Sequence, residues 1–82
     1  MKVPRDISGE ELARLLRGLG YQVTRQTGSH MRLSRTAEVK HHITIPRHET
    51  LRVGTLNSIL KDIAKHLGIR KDQLVQNLWG EP

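Results

Sequence analysis

The chain has 82 residues and no cysteine, and its 14 Lys and Arg against 8 Asp and Glu give a formal charge of +6. We expect a single domain over residues 1–82, which at this size buries roughly 60% of the surface of its unfolded chain. The lack of cysteine excludes disulfides and thiolate metal sites and favours a reducing, cytoplasmic location. No apolar run approaches the roughly 20 residues that cross a bilayer, and the first residues lack a signal-peptide pattern, so we expect no membrane partner.

The basic charge favours a polyanionic partner, such as nucleic acid or an acidic protein, although a basic domain without such a partner fits it too. Tyr21 and Trp79 are the only aromatic residues, which are too few for a protein that holds single strands by stacking bases. If nucleic acid binds, contacts to phosphates and recognition of helix shape should therefore dominate.

The first predicted element is a helix over Gly9 to Leu19. Ser8 and Glu11 match a capping box, in which the hydroxyl and the carboxylate each accept a hydrogen bond from a free backbone amide. Leucines follow at helical spacing, and Gly20 is a natural stop.

Three strand-like runs come next. Tyr21 to Thr27 forms the first, Gly28-Ser29 turns the chain, and His30 to Ser34 forms the second. The third ends at Pro46, since proline cannot donate to a sheet ladder. Alternate residues on the apolar side of this strand are Val39, His41, Ile43 and Ile45.

A second helix is predicted up to Gly68, with Thr55 as its cap, and a short third helix over Arg70 to Leu78. The order predicts an α+β fold, a helix, a three-stranded antiparallel sheet and a helix, with a short C-terminal helix. Two helices cover only one face of such a sheet. The other face should be polar and open, with His30, Arg32, Ser34, His42, Thr44, Gln22, Thr24 and Gln26.

His30 is the candidate for chemistry, because a turn histidine in a basic segment can exchange protons near neutral pH. RNA supplies its own nucleophile, the 2′-hydroxyl, so a protein that cleaves it needs mainly a base or acid and positive charge. Charge from Arg25, Arg32 and Arg47, if they are close, would keep the imidazole neutral, as a general base requires. From the residue alone, a turn histidine that only bonds the backbone is the commoner situation.

The other histidines have weaker assignments. His48 could act as the acid, bind phosphate or cap the turn after Pro46, and we favour phosphate binding or a structural role. His41 and His42 are neighbours on one strand, so they point to opposite faces and cannot share an ion. We therefore expect no metal site and no cofactor.

The opening of the second helix is a possible phosphate site. Arg52, Gly54 and Thr55 lie where free amides and the positive end of the helix dipole can hold an anion. Ordinary helix capping explains the same residues equally well.

Several fragments together resemble the HicA toxin family, the YcfA-like messenger-RNA interferases of bacterial toxin–antitoxin systems. Each fragment alone is weak, but their order and spacing are specific, and they extend from about Ser8 to Gly68. The fragments are Leu19-Gly20-Tyr21, Gly28-Ser29-His30, Ile45-Pro46-Arg47-His48, Gly54-Thr55-Leu56 and Ile59-Leu60.

The resemblance implies a fold similar to a double-stranded-RNA-binding domain and a metal-independent endoribonuclease that cuts mRNA. It implies that His30 is catalytic and that a HicB-type antitoxin covers it, in a possible hetero-oligomer. Residues 70–82 extend beyond the family pattern and are either structural or a partner contact. The residues that we expect to contact RNA are Arg25, Gly28, Ser29, Arg32, Arg47, His48, Arg52 and Thr55.

Two other functions remain open. Residues 56–78 resemble a helix-turn-helix, in which Ala64 permits helix packing, Gly68 makes the turn, and the following basic and amide side chains face DNA. A regulator of that kind would treat His30 as incidental. The third possibility is a binding module that keeps the shape of an RNA-binding domain and has no catalytic activity.

Overall fold

The computed structural model describes residues 3–37 and 39–80. Its order confirms the predicted α+β fold, and the strands form one antiparallel sheet in the order β1-β2-β3. The elements are α1 Gly9–Leu16, β1 Tyr21–Thr27, β2 His30–Arg35, β3 His41–Pro46, α2 Val53–Leu67 and α3 Lys71–Trp79. Residues 1, 2, 38, 81 and 82 lie outside the described part, and so do the parts of the predicted domain and C-terminal extension that fall on them.

The first helix begins as predicted and tightens before its end. The Ser8 hydroxyl accepts a hydrogen bond from the Glu11 amide at 3.0 Å. The α-helix ends at Leu16, and a 3₁₀ turn over Arg17–Leu19 completes the segment that we predicted as one helix. Gly20 then stops it with a φ of 92°, a left-handed conformation that favours glycine.

The third strand leaves out one residue that we assigned to its apolar side. It begins at His41, and Val39 is 66% exposed before it, so the prediction that Val39 belongs to the apolar side of this strand is wrong. The valine lies in the connection from β2, where no neighbouring strand continues the ladder to hold it against the core.

A β-bulge in β1 changes the predicted alternation. Val23 pairs with Leu33, and the next pair is Arg25 with Arg32, so Thr24 is the extra residue. Cross-strand partners share a face, which places Arg25 outward and Gln26, the partner of the buried Met31, inward. The prediction of Gln26 on the open face is therefore wrong.

The helices and the inner face of the sheet enclose the hydrophobic core. α1 contacts β1 and β3, and α2 contacts β3 and α3. The fully buried side chains come from both layers, and they include Leu12, Leu16, Tyr21, Leu33, Ile45, Leu56, Leu60, Ile63 and Leu74. Of the C-terminal extension, α3 is structural, because its Leu74 and Val75 complete this core.

The second helix starts earlier than predicted. Its N-cap is Arg52, which makes no side-chain capping bond, and Thr55 lies inside the first turn. The prediction of Thr55 as the cap is therefore wrong, because the leucine stripe marks the buried face of a helix but not its first residue. Gly68 ends α2 with a φ of 70°, as expected. None of the helices in the described ranges is long and apolar enough to cross a membrane.

Backbone contacts join the end of β3 to its neighbours. The Arg47 amide donates to the Ser29 carbonyl at 2.6 Å, and the Gly9 amide donates to the His48 carbonyl at 3.0 Å. At Gly9 a side chain would not fit, because an added Cβ would lie 1.9 Å from the Pro46 carbonyl oxygen. This close approach fixes the start of α1 against the residue that pairs with His30.

We therefore predict that Gly9→Ala destabilises the protein by roughly 1–3 kcal/mol, because backbone must move to admit the methyl group. Gly18→Ala is the matched control, since an added Cβ there meets nothing within 4 Å. Urea unfolding followed by circular dichroism measures both variants. A Gly9→Ala midpoint equal to that of Gly18→Ala would contradict the prediction.

Candidate functional site

Three rows of paired residues form the outer face of the sheet. Successive rows lie roughly 6.6 Å apart along β2 and β3, because outward residues on those strands are two positions apart at roughly 3.3 Å per residue. We name them the His30 row, the arginine row and the His42 row. Across β1, β2 and β3 in turn, they contain Thr27, His30 and Pro46, then Arg25, Arg32 and Thr44, then Gln22, Ser34 and His42.

His30 is exposed at one end of this face. It is the first residue of β2 and pairs with Thr27 on one side and Pro46 on the other. The turn before it consists of Gly28, with a φ of 56°, and Ser29, whose carbonyl accepts the Arg47 amide. Backbone pairing on both sides therefore fixes the position of His30 and leaves its side chain open to solvent.

The arginine row places two positive charges opposite each other. Arg25 and Arg32 are direct cross-strand partners, and both are exposed. Like charges in this position destabilise a sheet, so their pairing fits a face that receives an anion. Strict alternation from Tyr21 would have turned Arg25 towards the core. The bulge at Thr24 turns it outward, and no glycine in β1 marks that bulge.

Arg47 and His48 follow the strand partner of His30, but the Arg47 side chain turns away towards α1. Its Nη2 and Nε donate to Glu10 Oε1 at 2.7 and 3.0 Å. The His48 side chain is exposed, and its carbonyl accepts the Gly9 amide. The structure thus brings the backbone of this loop to the His30 end while an ion pair holds the Arg47 guanidinium.

Arg52 and Thr55 lie at the start of α2. Arg52 is exposed and Thr55 is half-buried. Within the described part of the chain, no hydrogen bond or ion pair connects either residue to His30 or to the arginine row. The structure does not join them directly to that site.

A hydrogen-bonded network on the outer face was not found from the sequence. Ser34 Oγ lies 2.6 Å from His42 Nδ1 and 2.8 Å from Thr24 Oγ1, and Thr24 Oγ1 donates to the Arg32 carbonyl at 3.4 Å. Ser34 is only 7% exposed. The cross-strand positions of Ser34 and His42 could have indicated their contact, but the bulge that adds Thr24 could not be read from the residues.

A second network lies at the inner edge of the sheet. His41 Nδ1 is 2.7 Å from the Tyr21 hydroxyl, and His41 Nε2 is 3.2 Å from Asp62 Oδ1 on α2. The adjacent histidines therefore point to opposite faces, as predicted. The His66 ring stacks on His41 with centroids 4.3 Å apart. Loss of hydration, with positive charge from His41 and Arg35, lowers the pKa of His66.

No group of three His, Asp or Glu side chains within residues 3–37 and 39–80 is placed to hold a metal ion. The chemistry available on the outer face is that of imidazole and guanidinium. These groups transfer protons and bind anions.

The comparison with protein families decides the family. A family model described as the HicA toxin of bacterial toxin–antitoxin matches residues 9–68, well over half of the chain. The chain belongs to the HicA toxin family. It is accordingly the toxin component of a toxin–antitoxin system. The match runs from the first residue of α1 to the glycine that ends α2, so α3 lies outside it. No curated protein and no solved structure matches the chain.

The toxin has a single tyrosine, which makes its inner network measurable. Burial raises the pKa of Tyr21 above 10.0, Asp62 adds to this rise, and Arg35 opposes it. We predict that tyrosinate absorbance in native buffer titrates at higher pH than in urea. The stability that goes with the raised pKa is complete below about pH 10 and is lost as the pH rises through the folded pKa.

Tyr21→Phe has no phenol to ionise. The free energy of unfolding of this variant should therefore fall less at alkaline pH than that of the unmodified protein. Asp62→Asn is the second variant, and its tyrosine should titrate closer to the ordinary value while remaining above it, since burial is the larger cause. A native midpoint at or below the one in urea would show that the hydroxyl is not held as described.

We predict that replacing Arg25 with Thr raises the free energy of unfolding by roughly 0.2–1 kcal/mol, because it removes the repulsion from Arg32. Arg25→Lys keeps the charge and is the matched control, with little change expected. The gain should shrink in high salt, since both side chains are exposed. A less stable Arg25→Thr at low salt would show that the arginine row is not under electrostatic strain.

Proposed function

We propose that this toxin is a metal-independent endoribonuclease that cleaves mRNA in the cytoplasm, with His30 as general acid or base, and that a HicB-type antitoxin neutralises it. Membership of the HicA family supports the proposal. The observation that carries it is His30 itself, exposed on a backbone-fixed turn at the end of an open, basic sheet face.

The reaction needs little from the protein. The 2′-oxygen of the substrate attacks phosphorus, the bond from phosphorus to the 5′-oxygen breaks, and a 2′,3′-cyclic phosphate and a 5′-hydroxyl result. His30 takes the proton of the 2′-hydroxyl or donates one to the leaving oxygen. A positioned group of this kind contributes roughly 10²–10⁴-fold to the rate. His48 lies on the loop after the strand partner of His30. It binds phosphate in our proposal, and the assay below also tests it for the complementary proton transfer.

The arginine row supports the same reaction by its charge. Arg25 and Arg32 lie one row from His30, roughly 6.6 Å along the strands. Their guanidinium groups stabilise the negative charge that develops on the phosphate at the cleaved bond. They also bind the adjacent phosphates of the RNA chain. Arg47 can contact the phosphate only when its ion pair with Glu10 breaks. In the free toxin, this ion pair therefore limits the contribution of Arg47 to phosphate binding.

The antitoxin belongs to the same proposal. An inhibitor that lies over the outer face would exclude RNA from His30 and would match the arginine row with acidic groups. Such a complex is a hetero-oligomer of toxin and antitoxin. Its contact residues follow from the face that the RNA uses, because one surface cannot hold both ligands.

We predict that His30→Ala reduces RNA cleavage at least about 100-fold with an unchanged fold, since the side chain is exposed. The assay uses purified toxin, single-stranded RNA and a chelator, and circular dichroism checks the fold. Lys61→Ala is the control, because Lys61 is an exposed residue of α2 outside the three rows. His48→Ala in the same assay tests the complementary role.

Cleavage that survives in His30→Ala would contradict the proposal. A duplex DNA with the same buffer separates the other interpretations. Sequence-specific DNA binding that His30→Ala leaves intact would favour a helix-turn-helix regulator using residues 56–78. RNA binding without cleavage by either form would favour a passive binding module.

A further inference from the structure

We propose that His42, together with Arg32, forms a second phosphate-binding subsite for the RNA chain, at the end of the outer face away from His30. The inference rests on the proposed RNA substrate and names where its backbone lies. His42 belongs to a row roughly 13 Å from His30, four residues along β2 at roughly 3.3 Å each. It is therefore too far away for the proton transfers at the cleaved bond.

A hydrogen-bond chain anchors one nitrogen of the His42 ring. Thr24 Oγ1 lies 2.8 Å from Ser34 Oγ and 3.4 Å from the Arg32 carbonyl, and Ser34 Oγ lies 2.6 Å from His42 Nδ1. Ser34 can donate to a neutral Nδ1 or accept from Nδ1–H, since a hydroxyl does both. In either tautomer the chain occupies Nδ1, and Nε2 is left for a ligand.

This arrangement suits an anion. When both ring nitrogens carry a proton the ring is a cation, in which Nδ1–H donates to Ser34 and Nε2–H donates to the ligand. Ser34 is buried, so the orientation of the ring is fixed in advance of binding. Within residues 3–37 and 39–80, the ring has no other hydrogen-bond partner.

A groove beside the ring gives access to it. Arg32, His42 and Thr44 line this groove from the sheet, and Ser58 and Asp62 line it from α2. Asp62 is the one acidic residue among them, and it is held by His41 at 3.2 Å. Arg32 and His42 both line the groove, so one phosphate bound there would contact both residues.

An RNA backbone fits this face better than an isolated phosphate. One polyanion that follows β2 meets His30, then Arg25 and Arg32, then His42, in consecutive rows. The three rows contain no Phe, Tyr or Trp, so contacts to the backbone should provide most of the affinity. A substrate long enough to reach from the first row to the third should bind more tightly than a short one.

The test compares a dinucleotide with a longer single-stranded oligonucleotide in the cleavage assay. For His42→Ala, the ratio of kcat/KM for the oligonucleotide to that for the dinucleotide should fall about tenfold, with the loss in KM. His42→Arg should restore the ratio, because it returns a positive donor. Thr24→Val removes the chain that orients the ring and should lower the ratio in part. Lys61→Ala is again the control.

Binding gives a readout independent of cleavage. In a His30→Ala background, fluorescence anisotropy with the same oligonucleotide should show weaker binding for His42→Ala and a salt slope smaller by about 1. Equal losses for both substrate lengths, or an unchanged affinity and slope, would overturn the subsite. If cleavage depends on His30 and the His42→Ala affinity is unchanged, the subsite alone fails. If His30→Ala still cleaves, the catalytic assignment fails while the affinity measurement still decides the subsite.

Discussion

The register of the central strand β2 determines what the rest of the molecule can do. β2 pairs on both sides, so each of its residues determines which side of the sheet its partner on β1 and its partner on β3 point to. A slip by one position would send Met31 and Leu33 to solvent and His30 and Arg32 to the core. The buried Leu33 and Ile45 oppose such a slip, and the core thereby also holds the outer face in place.

The two faces of this sheet are built from different chemistry. The inner face joins the helices through close packing, and its polar groups at the edge, Tyr21 and His41, are connected to α2 by Asp62. The outer face has no covering element among the described residues, and it gathers positive charge. The stability of the toxin and its proposed activity therefore depend on separate sets of side chains that share one backbone.

Much of the fold could be predicted from the residues, and the reasons are local. Ser8 caps α1, glycines stop the helices, and alternating apolar residues mark β2 and most of β3, because these signals act within a few positions. Thr24 and Arg52 show where local signals end. The bulge at Thr24 depends on the register between β1 and β2, which involves residues distant in sequence. The start of α2 after Arg52 depends on how the preceding loop packs. For the site, the exposure of His30 followed from alternation, whereas the support of His42 did not.

The bulge has one more consequence. Without Thr24, Val23 and Arg25 would become consecutive, and their present partners Leu33 and Arg32 are consecutive already. A deletion at this position would leave an unbroken ladder and would preserve every other pairing across the hairpin. It would remove the bulge together with the Thr24 hydroxyl that contacts Ser34. The deletion would therefore separate the network at Ser34 and His42 from the strand pairing that carries it.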